Sequence, residues 1–344
     1  RFGLSSRGLG DVYKRQFMSS VEPWLTFGLG KAATIDSLVV IWPTQKAQIL
    51  TNVKSNQTLT LLQEAAASQW KLPADKAPIF EDVTKQYPVD FVHKENEYYD
   101  FTREPLMPFK ISTEGPKMAV GDVNGDGLDD FYVGGPKYQA GKLFVQKIDG
   151  QFTESKQGAF LTDTLCEDID ASFLDVDGDK DLDLYVVSGG NEFFAQDEPL
   201  LDRLYLNDGK GNFARNRAAL PKLYGNKSCV KAGDVDKDGD LDLFVGGRIV
   251  AFHYGQIPDS YLLINNGKGI FTDQTDKLAP ELRKAGMITD AAWADIDNDK
   301  DVDLVIVGDW MGITVFENDK SSLEIKHTSL EDKKGFWQTI KPAD

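Results

Sequence analysis

Four times in this chain a nine-residue loop of alternating acids runs straight into an apolar run. The loops read DVNGDGLDD from Asp122, DVDGDKDLD from Asp175, DVDKDGDLD from Asp234 and DIDNDKDVD from Asp295. Their starts lie 53, 59 and 61 residues apart. A near-constant period means one supersecondary unit copied along the chain. Each copy needs its neighbours, because a single unit cannot bury its own apolar face.

The copies share a grammar. A short apolar run precedes each loop: Met118–Val120, Ala171–Leu174, Val230–Ala232 and Ala291–Trp293. A β-rich run follows it: FYVGG, LYVVSGG, LFVGGR and LVIVGDW. Aromatic and β-branched residues bounded by glycine predict buried strands. A third strand then ends in a polar hairpin, with Asn207-Asp208-Gly209 and Asn265-Asn266-Gly267 supplying its positive-φ positions. Phe152, Phe213 and Phe271 open a short fourth strand. Four antiparallel strands per unit, repeated, predict the blades of a β-propeller. The expected fold is therefore all-β, with four four-stranded blades and the start of a fifth. Phe336–Asp344 would lead into that fifth blade, with Asp344 as the first acid of its loop and the chain cut inside it.

Alternation places several oxygens of each loop on one side. Positions 1, 3, 5 and 9 offer side-chain oxygens, and position 7 can offer its backbone carbonyl. The first set is Asp122, Asn124, Asp126 and Asp130 with Leu128. The second is Asp175, Asp177, Asp179 and Asp183 with Asp181, and the third is Asp234, Asp236, Asp238 and Asp242 with Asp240. The fourth is Asp295, Asp297, Asp299 and Asp303 with Asp301. Hard dications such as Ca²⁺ take six to eight oxygens at about 2.3–2.6 Å. Carboxylates converging at about 4–5 Å repel by on the order of 1 kcal/mol per pair in water, and more where partly buried. Asx-rich turns alone leave that repulsion unanswered. About four Ca²⁺ sites are expected, each tying the first two strands of its blade. These are not EF-hands, since position 12 is Val133, Val186, Val245 or Ile306 rather than a bidentate Glu. Zinc lacks His and Cys ligands here, and magnesium demands a stricter geometry.

Bulk properties narrow the function. A hydrophobic fraction of 41% over 344 residues suits a folded protein. The formal net charge is -17, and no basic face is present for nucleic-acid binding. No segment has the roughly 20 apolar residues of a membrane span. Residues 1–16 are basic, unlike the rest, and resemble translated adapter read-through at the edge of an assembled fragment. They lack an apolar core and are no signal peptide. Residues 17–67 read as a small β element, with strands at Ile35–Trp42 and Gln57–Leu62 and a Pro43–Lys46 turn. Residues 68–78 read as a linker, and the repeats as 79–344, because Phe80–Thr84 repeats the fourth-strand pattern of Phe271–Thr275. Tyr87–Gly115 is a long insertion, read equally as a functional loop or as a cover on a blade face.

The DxDxDGxxD loops with their (F/Y)VGG-like strands resemble the FG-GAP/VCBS repeats of integrin-α-type propellers. The pattern from Phe27-Gly28-Leu29-Gly30 through Asp36, Trp42-Pro43 and Asn56-Gln57 resembles the ASPIC/UnbV domain. That domain accompanies such repeats in many bacterial exported proteins, notably of Bacteroidota. The resemblance implies a calcium-dependent propeller in a surface, secreted or periplasmic protein. Lys180 and Lys300 stand where these loops usually carry glycine.

Little looks catalytic. His93, His253 and His327 share no spacing and read as surface or packing residues. No G-x-S-x-G elbow, H-E-x-x-H helix or P-loop occurs. Cys166 and Cys229 fit no metal spacing and read as unpaired core residues, with a disulfide as the alternative. Trp293, Trp310 and Trp337 read as core rather than as sugar platforms. The leading expectation is a non-enzymatic, calcium-stabilised propeller that binds a protein or glycan at the cell surface. A scaffold within a polysaccharide-degrading enzyme and a structural spacer are the alternatives.

Overall fold

The computed structural model describes residues 27–70, 80–194 and 196–343. The chain divides into two compact units, residues 1–81 and 82–344. Expectations for residues 1–16, for linker residues 71–78 and for Asp344 fall outside the described residues.

The first unit carries one antiparallel sheet of three strands, β1 (Thr34–Ile41), β2 (Lys46–Lys54) and β3 (Ser68–Gln69), in that order. The turn between β1 and β2 closes with the Gln45 amide donating to the Trp42 carbonyl at 2.8 Å. Gln45 takes the left-handed conformation, at φ 61°. The second strand is Lys46–Lys54, not Gln57–Leu62 as the alternation suggested. Asn52 sits inside β2 at φ 51°, which breaks the alternation. Gln57–Leu62 alternates but pairs with no strand, and Leu59 and Leu62 stay exposed. Ser68 and Gln69, read as linker, form an edge strand too short to show a period.

The second unit repeats one four-stranded antiparallel sheet four times. Sheet I is β4 (Met118–Gly121), β5 (Asp130–Val133), β6 (Lys142–Gln146) and β7 (Phe152–Ser155). Sheet II is β8 (Glu167–Leu174), β9 (Asp183–Gly189), β10 (Arg203–Asn207) and β11 (Phe213–Arg215). Sheet III is β12 (Asn226–Gly233), β13 (Asp242–Ile249), β14 (Tyr261–Asn265) and β15 (Phe271–Asp273). Sheet IV is β16 (Met287–Ala294), β17 (Asp303–Met311), β18 (Thr314–Asp319) and β19 (Ser322–Lys326). Strand order equals chain order among these four strands of every sheet. The first strands of successive sheets lie side by side, and the faces stack in series. Among the described residues this series is open and forms no closed ring.

Period-two alternation builds each interface. Tyr132 and Leu143 of sheet I meet Leu184 and Val186 of sheet II. Tyr185 and Val187, on the opposite face of sheet II, meet Leu243 and Val245 of sheet III. Phe244 and Leu262 in turn meet Leu304, Ile306 and Phe316 of sheet IV. A large side chain facing a small one keeps the spacing. Trp293 lies over Gly233, where an added Cβ would stand 3.0 Å from the indole, and its N–H donates to the Lys231 carbonyl at 3.1 Å.

The ends of the repeat depart from expectation. Phe80–Thr84 forms no strand, because every third strand of the four sheets already has its own fourth. Toward the C-terminus only β20 (Gly335–Phe336) is a strand, pairing with the end of β17. Even so, the Ile340 amide donates to Asp290 Oδ2 at 3.1 Å, as the Val230 amide does to Asp170 Oδ2 at 3.1 Å. Asp170 and Asp290 occupy matching positions on β8 and β16. The chain at Ile340 therefore follows the same path as the first strand of a sheet.

The Tyr87–Gly115 insertion is a packed cover. Met107 and Ile111 are buried against Ile249 and Met287. Buried Asp100 accepts from the Ile111 and Ser112 amides and from Asn191. Glu114 takes a two-pronged bond from the buried Arg248 guanidinium, 2.7 Å on each arm. Beside this cover, Glu167 of β8 is 1% exposed. Burial first, and then the Glu95 carboxylate, push it up to about 8. A carboxyl raised in the fold contributes stability that is complete below its ordinary value of about 4.3 and is lost as pH rises through about 8. Glu167→Gln is therefore expected to raise Tm most above about pH 8 and progressively less toward pH 4. Scanning calorimetry across that range checks it. A variant as sensitive to pH as the parent removes Glu167 as the source.

Candidate metal loops

Each loop joins the first and second strands of its sheet, so all four sit at corresponding corners. Two positions must turn through left-handed backbone. Position 4 is Gly125, Gly178, Lys237 or Asn298, at φ 73°, 80°, 60° and 65°. Position 6 is Gly127, Lys180, Gly239 or Lys300, at φ 83°, 76°, 96° and 75°. Lys180 and Lys300 thus accept the conformation that glycine adopts freely, at a strain of roughly 1–2 kcal/mol each.

That winding turns side-chain oxygens inward. Position 1 accepts the position-6 amide in every loop: Asp122 from Gly127 at 2.8 Å, Asp175 from Lys180 at 3.0 Å, Asp234 from Gly239 at 3.2 Å and Asp295 from Lys300 at 3.1 Å. Position 9 is buried in all four loops, and both its oxygens are engaged. One accepts the position-2 amide, as Asp242 does from Val235 at 3.0 Å. The other accepts an amide of the third strand, as Asp242 does from Asn265 at 2.9 Å. Asp130, Asp183 and Asp303 repeat this pattern with Gln146, Asn207 and Asn318.

Carboxylate oxygens within 4.8 Å of one another meet at three corners among the described residues. They are Asp175, Asp177 and Asp183; Asp234, Asp236 and Asp242; and Asp295, Asp297 and Asp299. Asp179, Asp181, Asp238, Asp240, Asp301 and Asp303 lie outside these groups of three. The first loop brings no three carboxylates together. Its Asn124 is neutral, and Asp122 Oδ1 accepts the Asn124, Gly125 and Asp126 amides. Those bonds, with the one from Gly127, outweigh desolvation and hold Asp122 below the ordinary aspartate range.

The second and third loops bear the opposite strain. Burial first, and then the nearby carboxylates Asp177 and Asp181, push Asp183 up to about 7. Burial pushes Asp242 up to about 6, with Asp236 and Asp238 adding to it. Asp181 is raised to about 6, again by burial and then by Asp179. Asp177 Oδ1, Asp181 Oδ1, Asp234 Oδ1 and Asp236 Oδ1 are buried without any hydrogen-bond partner. Buried acceptors without donors are unfavourable by about 1–3 kcal/mol each, more when charged. Hard oxygens held within 4.8 Å of one another and short of donors fit a dication such as Ca²⁺.

The hairpin asparagines hold a role that turn chemistry alone did not reveal. Asn207 Nδ2 donates to the Val123 carbonyl at 2.7 Å, in the loop of the preceding sheet. Asn265 does the same to Val176 at 2.8 Å, and Asn318 to Val235 at 2.9 Å. Each also donates to the position-8 carbonyl of its own loop, Leu182, Leu241 or Val302. One amide thus fastens two loops. The available signal was an asparagine at the end of three third strands, in hairpins of differing sequence. Close by, Gly267 turns at φ 69°, and a Cβ there would displace the Asp240 carboxylate, whose Oδ2 it would approach to 2.3 Å.

Other candidate residues fall away from these corners. Cys166 and Cys229 are free and buried, and burial pushes the Cys229 thiol up to about 11. His93 bonds Glu95 at 2.5 Å, and His253 and His327 are exposed. Trp310 and Trp337 are exposed, which corrects the expectation of core tryptophans. Trp310 lies at the end of β17 at φ 60°, its N–H donating to Tyr254 Oη at 3.1 Å. That backbone turn carries the ring out of the alternation.

With this geometry in place, likeness to known families is informative. The model for FG-GAP-like repeats matches residues 122–186 and 175–245, which span the first three loops. The model for ASPIC and UnbV matches residues 12–68. The chain is thus an all-β protein carrying FG-GAP-like repeats and an ASPIC and UnbV segment. No curated protein matches it. Among solved structures, the V. cholerae biofilm matrix protein Bap1 is similar at a TM-score of 0.31 and 13% identity. The likeness covers 60% of this chain and 29% of that one.

Loop positions 5 and 9 should separate by experiment. Asp242→Asn sets an amide group against a backbone N–H and is expected to destabilise by about 1–3 kcal/mol, even in EGTA. Asp238→Asn keeps the acceptor that its side chain presents to the Asp240 amide. It is expected to lower stability only when calcium is present. Urea unfolding of both variants, with calcium and with EGTA, reads the difference. Equal losses under both conditions for Asp238→Asn would rule out a ligand role there.

Proposed function

We propose that this chain is a calcium-binding, non-enzymatic β-propeller of a surface-exposed or secreted protein, used in adhesion to a protein or glycan partner. The observation that carries the calcium assignment is the set of buried, unpartnered carboxylate oxygens in the second and third loops. Three of them, on Asp177, Asp234 and Asp236, belong to residues whose oxygens already converge. The serial stacking of four-stranded sheets supports reading them as blades. FG-GAP-like repeats support an extracellular setting, where calcium is abundant enough for weak sites of about 10⁻⁴–10⁻³ M. The non-enzymatic part of the reading rests on buried thiols raised in pKa, the reverse of nucleophile activation.

Calcium that binds the folded state and not the unfolded one stabilises by mass action. Tm is expected to rise by several degrees in millimolar calcium and to fall in EGTA, with magnesium giving a smaller shift. Calorimetry with isothermal titration checks both the shift and the stoichiometry. An unchanged melt in calcium and EGTA would defeat the calcium assignment. For the adhesive role, binding to immobilised polysaccharides and matrix proteins should depend on calcium. Failure to bind across such panels counts against adhesion.

A further inference from the structure

Each sheet passes from its second to its third strand at the end away from its acidic loop. An aromatic residue stands at or next to every one of these turns: Tyr138, Phe194, Phe252 and Trp310. Tyr138, Phe194 and Trp310 are exposed. Tyr138, Phe252 and Trp310 hold left-handed backbone, at φ 73°, 64° and 60°. That conformation is unfavourable for a bulky side chain, and strain of this kind gathers at ligand sites.

In the middle of the series, Arg103 of the cover lies on the rings of sheets II and III. Its guanidinium carbon is 4.6 Å from the Phe252 ring centre and 5.6 Å from that of Phe194, and the two ring centres are 5.3 Å apart. The Phe194 turn is fixed by its own amide, which donates to Asp197 Oδ2 at 2.8 Å. Sheets II and III each have a neighbour on both sides, so this exposure belongs to the strand ends and not to an uncovered sheet face. Arg203, Arg215, Arg248 and Arg283 each pair with a carboxylate, whereas the Arg103 guanidinium has neither ion pair nor hydrogen bond among the described residues. Its nearest acids along the chain are already supplied with donors. Glu104 accepts from the Tyr254 amide and from Asn191, both at 2.7 Å, and Asp100 accepts from Asn191 and the Ser112 amide. A guanidinium held on aromatic faces keeps its planar fork of N–H donors for a carboxylate from outside.

We infer that Arg103, Phe194 and Phe252 form a binding site for a glycan that carries widely spaced carboxylated sugars. The sugar carboxylate takes the Arg103 fork, and the apolar C–H face of the same ring lies on exposed Phe194. An acidic peptide offers the carboxylate without a flat apolar face beside it. A dense polyanion is disfavoured, because Asp100, Glu104 and Glu192 act on Tyr98 together with Arg103, which leaves one cation among several acids. The inference deepens the adhesive part of the proposed function and rests on it, but it needs no ion at the acidic loops for its own contacts.

Surface plasmon resonance of the whole chain in millimolar calcium tests it, over immobilised fragments of hyaluronan and gellan, in which neutral sugars separate the uronates. The same fragments with their carboxylates reduced to alcohols are the reference. The parent is expected to bind the acidic fragments of at least one glycan on the order of 10-fold more tightly than the reduced ones. Arg103→Gln is expected to lose that preference, and Arg103→Lys to keep only part of it. Phe194→Ala should weaken acidic and reduced fragments alike. Arg217→Gln removes an exposed guanidinium that stacks on no ring, and should bind as the parent does. All these side chains are exposed, so Tm and circular dichroism should stay unchanged. A parent without preference for the acidic fragments, or an Arg103→Gln variant that retains it, overturns the proposal. Capture of a glutamate-rich peptide through Arg103, with no binding to either glycan, also overturns it but leaves the adhesive reading standing with a protein partner. A parent that binds no glycan and no matrix protein removes both.

Discussion

The second unit turns on one carboxylate per sheet, the aspartate at the end of each acidic loop. It sits where the second strand begins and is buried in every copy. Its two oxygens accept one amide from the loop and one from the third strand, so three segments meet on a single side chain. A buried carboxylate carries a large desolvation penalty unless donors surround it. Two amides answer only part of that penalty, which is why Asp183 and Asp242 stay raised in pKa. The fold thus places at each corner a negative charge that backbone donors alone do not neutralise. Strand geometry thereby gathers the kind of oxygen donors that a hard cation takes.

The same corners join one sheet to the next. The hairpin asparagine reaches from the following sheet to the loop carbonyl and also fastens its own loop. Packing of apolar faces supplies most of the attraction between sheets, but it has no fixed register along the strands. The asparagine bond does, because donor and acceptor must lie within about 3 Å of each other. Loop, hairpin and sheet spacing are therefore mutually fixed. A change that loosens a loop would be felt across the interface as well as within the sheet.

Much of this was legible in the sequence, because a period that repeats shows itself several times over. The four loops, the β runs behind them and the phenylalanines opening β7, β11 and β15 were all visible as pattern. The departures have physical causes. β2 was hidden because Asn52 breaks its alternation with a left-handed residue, while Gln57–Leu62 alternates without a partner. Phe80–Thr84 has the composition of a fourth strand, but each third strand already pairs with its own fourth. Trp310 and Trp337 lie in or next to strands yet are exposed, Trp310 because the backbone turns left-handed at its position. Sequence pattern reports what a segment can do, whereas pairing depends on which edges remain open.

The loops also differ from one another, and the differences have two separate origins. The first loop is covered by sheet II, as the burial of Val123 shows, yet its carboxylates do not converge. Its difference is chemical. Asn124 and Leu128 replace two acids, and Asp122 is satisfied by four backbone amides. The fourth loop keeps a full set of acids, and three of them converge, but those three are exposed. Its difference is positional, since no following sheet lies over it among the described residues. The second and third loops alone combine a full set of acids with cover from the next sheet. There the carboxylates are crowded and also shielded from water, so electrostatic strain is highest. By this reasoning those two corners gain most from a bound dication, and the first corner least.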